Sequence, residues 1–495
     1  MRTILMALCF SVVSTFALAD GKGDWPMYGA NLERSFSNPA SGLKPSNVAA
    51  LTLAWRFPTE DAVTAAPTVV GNAVYVGAWD GYFYAISAPK GVLLWRFAID
   101  CQNSVTPVPA RCLAPGQTPP DRSDSDGGLI TASAAVEEDR IYFAGGRTMY
   151  CLRARDGKLL WKRIVCGNPD DPQCESDQND GSRVFSSPAV HDGLVFIGSS
   201  TDGQDGYRGG ILALDAKNGA IRWRFEVDPI LDANGHVILN GDGLPAGGYN
   251  RGCGNVWASV SVDPDRHRVF VGTADCDHAA LPPYHNRMLA LHERTGRLQW
   301  VFSPIPADVC DLDFGATANV IGRDDDRLLG FGGKNGHYYL IDRRSGKQVW
   351  DTQVVPGGNA GGFFGGAAVT GSVVVSATSY GDQFMIPGCP FDPFQEPSLH
   401  ALDLATGDKV WELPGNQSYG ATTAGDGVVF VSYINLLGPP TSELHAYDAR
   451  TGALLFNTAV SVSLGPPTPA RRGVFLGTGD IRTGDGGGIN AYRLP

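Results

Sequence analysis

VFIGSSTDGQDGYRGGILALDAKNGAIRW, residues 195–223, is the stretch from which the fold can be read. Val195-Phe196-Ile197-Gly198 is a short apolar run suited to a strand buried on both faces, and Ile211-Leu212-Ala213-Leu214-Asp215 is a second. Asp215 and Gly219 bracket a tight turn, in which glycine supplies the positive φ and the aspartate side chain bonds its own backbone. A third strand then ends in Trp223. The same order recurs along the chain. VYVGAWDGYFYAISAPKGVLLW ends at Trp95, IYFAGGRTMYCLRARDGKLLW at Trp161 and VFVGTADCDHAALPPYHNRMLALHERTGRLQW at Trp300. LLGFGGKNGHYYLIDRRSGKQVW ends at Trp350, SLHALDLATGDKVW at Trp411 and ELHAYDARTGALLF at Phe456. In all seven, a glycine stands four residues before the terminal aromatic: Gly91, Gly157, Gly219, Gly296, Gly346, Gly407 and Gly452. One more short strand precedes each unit, as in Ala66-Pro67-Thr68-Val69-Val70 and Ser187-Pro188-Ala189-Val190. Four strands per repeat make the blade of a β-propeller, with the Trp expected to pack between neighbouring sheets.

The two ends set the blade count. The chain finishes with VFLGTGDIRTGDGGGINAYRLP, which holds two strands but no Trp strand. The missing strand is at the other end, Leu51-Thr52-Leu53-Ala54-Trp55-Arg56-Phe57. The sequence therefore predicts an all-β fold, an eight-bladed β-propeller of four-stranded antiparallel blades. Pairing of the N- and C-terminal strands closes the ring and removes the open edge.

Composition narrows the function. The 495 residues include 63 Gly and 33 Pro, carry 18% charged residues and have a net charge of −12, which argues against a nucleic-acid partner. Arg2 followed by the apolar run Ile4–Leu18 and by Ala17-Leu18-Ala19 reads as an export leader over residues 1–19. Residues 20–495 are then a single propeller domain, periplasmic or secreted, with no other run long enough to span a bilayer. Export permits disulfides. Cys101/Cys112 and Cys166/Cys174 are placed to close local loops, while the pairing of Cys253, Cys276, Cys310 and Cys389 stays open. Cys151 aligns with Ala213, Ala290, Ala401 and Ala446 in the third strands and is expected to be a free core thiol. No C-x-x-C-H haem-attachment motif occurs in the sequence.

In such a blade the loops after the second and fourth strands open on one face. The insertions (101–128, 166–183, 202–209, 228–252, 275–286 and 380–398) all fall in these two classes, whereas the turns between third and fourth strands are short and uniform. Elaborate loops on one side of a rigid scaffold are where sites are built. Asp308-Val309-Cys310-Asp311-Leu312-Asp313 places several carboxylates at the mouth of the central funnel, as general bases or metal ligands. Lys334, in the turn Gly333-Lys334-Asn335-Gly336, offers a cation on the same face. Trp257, at a position its sibling blades fill with Ser186, Phe364 or Tyr419, offers a flat stacking surface. Cys276, His278 and His285 share a loop, but their spacing is not a zinc pattern.

These blades, the opening Asp24-Trp25-Pro26-Met27-Tyr28-Gly29 and the eightfold closure resemble the pyrroloquinoline quinone (PQQ) dehydrogenases, in particular the polyvinyl alcohol dehydrogenase branch. The resemblance spans essentially the whole chain after the leader. It implies an alcohol dehydrogenase using PQQ and Ca2+, acting on small or polymeric alcohols and passing electrons to a separate acceptor such as a cytochrome c. It implies Asp308 as the base, with Asp311 as second carboxylate, and Lys334-Asn335 on the quinone oxygens. It implies Trp257, six residues before Asp263-Pro264, as the stacking tryptophan. Asp275 after Gly272-Thr273-Ala274, Gln204 or Asp205, and Asp308 would be the calcium ligands. The chain departs from the family in having Cys310 beside Asp311 instead of Trp, Thr64 in place of a Glu, no Arg in Asp126-Gly127-Gly128-Leu129 and no vicinal cysteine pair. Two other uses of the same blades are a non-catalytic binding scaffold like the outer-membrane assembly propeller lipoproteins, and a lyase or hydrolase built on the same carboxylate loops.

Overall fold

The computed structural model describes residues 21–101, 112–113, 130–165, 183–201, 209–246, 255–274, 283–305, 310–322, 327–381, 385–392, 396–435 and 439–495. Eight separate four-stranded antiparallel sheets form the ring. Blades 1 to 7 are meanders of four consecutive strands, spanning 68–98, 135–164, 189–226, 261–302, 319–353, 368–414 and 423–460. Blade 8 takes its inner three strands from 468–493 and its outer strand, Thr52–Pro58, from the other end of the chain. Thr52 pairs with Arg493 and Pro58 with Gly488, so the ring closes as the end-to-end argument requires.

The repeated glycine and tryptophan are two halves of one joint. In each blade the outer strand bulges by one residue just before its repeat aromatic, which in most blades is a Trp paired with a small third-strand residue, as in Ala85–Trp95, Ala213–Trp223 and Ala290–Trp300. Such a bulge bends and re-aims the strand. The indole is thereby carried onto the next blade, where it lies against the turn glycine. A Cβ on Gly219 would sit 2.6 Å from the Trp161 ring, one on Gly157 2.5 Å from Trp95, and one on Gly91 2.6 Å from Trp55. These glycines also hold φ near +70°, which disfavours any side chain. Each indole N–H donates to a carbonyl of the same turn, for example Trp55 to Ala88 at 2.9 Å, Trp223 to Glu293 at 2.7 Å and Trp411 to Ala449 at 3.0 Å. Net, each bond contributes about 1 kcal/mol beyond the ring's apolar burial. Trp55 makes this contact from blade 8 to blade 1, so the joint also seals the ring. Cys151 faces Trp161 in the small-residue position and is a buried free thiol, as expected.

A strap formed by residues 24–38 closes one end of the central channel. Trp25 bridges Val69 of blade 1, and the Pro26 carbonyl accepts the Val136 N–H of blade 2 at 2.8 Å. The carbonyls of Leu32, Glu33, Ser35 and Phe36 do the same for Val262, Val320, Val369 and Ala424 of blades 4 to 7, at 2.8–2.9 Å. Asn38 Nδ2 reaches the Pro469 carbonyl of blade 8 at 3.0 Å. Arg34, with no exposed surface, donates to the Ser187 and Pro188 carbonyls of blade 3 and the Val260 carbonyl of blade 4. The inner strands are only two or three residues long, and the strap satisfies backbone groups that face the channel.

Candidate functional site

The other end of the channel is a funnel, a cavity of about 190 Å3 with Tyr28 of the strap beneath it. Its walls are set by two positions of the repeat. Two residues before each inner strand, blades 2 to 5 carry Ser133, Ser187, Ser259 and Thr317. Their hydroxyls link blade to blade: the N–H groups of Ala66, Ser133, Ser187 and Ser259 donate to the next hydroxyl in turn, at 2.9, 3.0, 2.9 and 3.3 Å. Two residues further out lies the mouth. Blades 3, 4, 6 and 7 fill it with Phe185, Trp257, Phe364 and Tyr419, blade 5 with Gly315, and blades 1 and 2 with Thr64 and Thr131. The blade 3 sibling of Trp257 is thus Phe185, not Ser186. The inner strand of blade 3 starts at Ala189 and that of blade 4 at Ser261, which fixes the offset.

Blade 5 leaves room for the blade 4 aromatic. A Cβ on Gly315 would fall 1.5 Å from Cη2 of Trp257, so only glycine lets the indole lie across this position. Trp257 Nε1 donates to Asp313 at 3.1 Å, which fixes the ring. The Trp257 and Phe364 rings stand 6.0 Å apart at 34°, and Phe364 meets Tyr419 edge-on at 5.3 Å.

Lys334 lies against this aromatic wall. It is 4% exposed, its Nζ 5.3 Å from the Phe364 centroid and 5.9 Å from that of Trp257. The turn 333–336 holds it: Gly336, at φ +79°, donates to the Gly333 carbonyl, and the Lys334 N–H donates to the Asp313 carbonyl, both at 3.0 Å. Nζ donates to Asp311 and stands 3.2 Å from Asp313. Burial works against the ammonium, but Asp313 and Asp311 more than offset it, and its pKa ends above the ordinary lysine value. Asp311 moves further. Burial first, then the Asp313 charge, push its carboxyl up to about 7 against the pull of Lys334. It keeps a partly exposed side chain, 26%, and a left-handed backbone at φ +56°. Next to it, Cys310 forms a disulfide with Cys389, tying this loop to the loop of blade 6.

Of the residues singled out from the sequence, the structure brings Trp257, Lys334 and Asp311 close to one another. Asn335 is not brought to them: its amide donates to Tyr339 within its own blade at 2.6 Å. Asp308, Asp275, Gln204 and Asp205 lie outside the described residues, as do Cys166, Cys174, Cys253, Cys276 and His278. Cys101–Cys112 is bonded. Sequence reasoning counted Asp313 only among the carboxylates of its loop and Phe364 only as a sibling of Trp257. The Asp-x-Asp spacing of 311–313 carries a period-two signal for the first, and counting four residues back from the inner strand finds the second.

Fold and site together define a propeller whose blades dock through tryptophan and whose funnel holds a lysine between two carboxylates and an aromatic wall. The chain belongs to the glucose/ethanol/alcohol dehydrogenase β-propeller family, which matches residues 25–362. The outer membrane protein assembly factor BamB family also matches, over 334–433 and 395–489. The chain is 25% identical to a polyvinylalcohol dehydrogenase from a Pseudomonas species, covering 88% of this chain and 68% of that one. It is 25% identical to the dehydrogenase subunit of the quinone alcohol dehydrogenase of Komagataeibacter europaeus, over 67% of this chain and 46% of that one. It thus spans between about half and two thirds of these relatives. A europium-containing methanol dehydrogenase shares the fold at a TM-score of 0.71 and 18% identity, covering 96% of this chain and 99% of that one.

Proposed function

We propose that this protein is a PQQ-dependent alcohol dehydrogenase whose proton acceptor is Asp311. The observation that carries the reading is Asp311 itself: a partly exposed carboxyl held near neutrality beside a buried lysine at the mouth of an aromatic-walled funnel. The residues fit the cofactor. A flat quinone acid asks for an aromatic face and a cation, and Trp257, held flat over Gly315, and Lys334 supply them. Bound there, PQQ would accept the hydride, the redox step that side chains cannot perform. Asp311 would take the hydroxyl proton of the alcohol, a role the resemblance gives to Asp308. With a pKa of about 7 it is ionised just above neutrality, where a general base is most effective. Its exposed edge then returns the proton to solvent. Lys334 stays charged throughout and holds both carboxylates in place.

Calcium belongs to the proposal through the family resemblance, and no step is drawn through it, since its four candidate ligands lie outside the described residues. Export to the periplasm, a small or polymeric alcohol as substrate and a separate cytochrome c-like acceptor are parts of the same reading. The test is titration of the protein with PQQ, with and without Ca2+, followed by Trp quenching and by dye reduction with primary, secondary and polymeric alcohols. Saturable binding, with turnover lost in Asp311→Asn, supports the reading. Absence of binding at micromolar PQQ refutes it and leaves the scaffold role that the assembly-factor match favours.

A further inference from the structure

Around the strap, the face opposite the funnel carries the turns between first and second and between third and fourth strands. At the junction of blades 3 and 4, four of these turn residues converge. Glu293 is fully buried, with its side chain 1% exposed. It holds a position that most blades fill with a small or apolar residue: Ala88, Ala154, Ala216, Leu404 and Ala449. Its Oε1 is 2.5 Å from Nδ1 of His267, and its Oε2 is 3.0 Å from Nδ1 of His191. Asp192 completes the group, with ligand atoms of Asp192, His267 and Glu293 all within 4.8 Å of one another. Arg294 pairs with Asp192 from the outer side.

The next junction shows what a purely structural solution looks like. There Arg343 fills the position of Glu293, and its Nε lies 2.8 Å from Asp263, which fills the position of His191; both side chains are 1% exposed. A guanidinium has no lone pair to give. The junction of blades 3 and 4 instead faces its buried carboxylate with two imidazoles, which do, and adds a second carboxylate. A buried carboxylate needs a cation, and the three nitrogen and oxygen donors of Asp192, His267 and Glu293 suit a transition metal whose fourth position water fills.

We infer that the junction of blades 3 and 4 binds a divalent transition-metal ion, Zn2+ by ligand type, through Glu293, His267 and Asp192, with His191 holding the other carboxylate oxygen of Glu293. The site is separate from the funnel and pins two adjacent blades together. It is tested by calorimetric titration of the EDTA-treated protein with Zn2+, in an Asp311→Asn background so that the funnel carboxylates do not contribute. One Zn2+ per chain is expected, with no competition from Ca2+, which prefers all-oxygen sites. His267→Ala, whose side chain is half exposed and whose loss spares the fold, should weaken binding by about tenfold or more, and Glu293→Gln likewise. Zn2+ should also raise the melting temperature of the parent and not of His267→Ala. Absence of saturable Zn2+ uptake, displacement by Ca2+, or equal affinity in folded His267→Ala overturns the inference.

Discussion

Lys334→Met separates the charge on the lysine from its bulk. The ammonium has a 6% exposed side chain and is shared by Asp311 and Asp313. Removing one partner of such a buried group costs about 3–5 kcal/mol, because the other partners stay behind uncompensated. The pH dependence is the sharper test. In the parent, Asp311 titrates at about 7 in the folded state and near 3.8 when unfolded. The folded state therefore binds the extra proton between these values; stability falls as pH rises through that window and levels off above about 7. Without the lysine charge the folded pKa of Asp311 rises further, and the window extends upward. The stability gap between parent and variant should then grow by about 1.4 kcal/mol for each pH unit above 7. Urea unfolding at pH 6, 7, 8 and 8.5 measures it directly. A gap that stays constant from pH 7 to 8.5 would falsify the view that Lys334 sets the charge state of Asp311.

Three further outcomes follow from the geometry. In the enzyme reconstituted with PQQ, kcat/KM should rise with pH through about 7 as Asp311 loses its proton, a limb that disappears if another group is the base. Gly315→Ala should displace the Trp257 ring, since the new methyl would overlap Cη2, at about 1–3 kcal/mol; PQQ-dependent Trp quenching should fall with it, and unchanged quenching counts against Trp257 as the stacking surface. Gly219→Ala and Gly193→Ala both place alanine at positive φ, but only the former meets an indole, at 2.6 Å, whereas nothing lies within 4 Å of the latter. The first should therefore cost about 1–3 kcal/mol more than the second in unfolding experiments, and equal costs would remove the docking role of Trp161.

The ring was legible because its signal is periodic and local. One glycine-to-aromatic spacing, repeated seven times, carries the turn, the outer strand and the joint to the next blade. Of the site, Lys334, Trp257 and Asp311 were legible, since a charged turn, an aromatic ahead of an inner strand and an acidic loop stand out from their siblings. Phe364 and Gly315 were harder. Their importance comes from a ring of equivalent positions whose offset is fixed only when the start of each inner strand is known, and a slip of one residue put Ser186 where Phe185 belongs. The opening Asp24-Trp25-Pro26-Met27-Tyr28-Gly29 stood out, but the course of the strap it begins was not legible, because most of its partners are main-chain groups that any residue could supply. Nor does spacing reveal that Cys310 pairs with Cys389, since the two meet only after blades 5 and 6 have formed.

Closure of blade 8 by Thr52–Pro58 has a consequence for biogenesis. Thr52 finds its partner Arg493 only after all the residues between them have been made. At about 5–20 residues per second, the strand is synthesised roughly 20–90 seconds before its mate exists. During that time Leu53, Trp55 and Phe57 belong to an unpaired strand of high β-propensity, the kind of segment that seeds intermolecular pairing. Joining ends so distant also carries an entropic cost that grows with the logarithm of the intervening length, about 5 kcal/mol here. Seven blades can condense from local contacts in any order, but the eighth depends on a single late encounter. The slow step of folding, and the point at which a chaperone has most to protect, is the capture of Thr52–Pro58 by Gly488–Arg493.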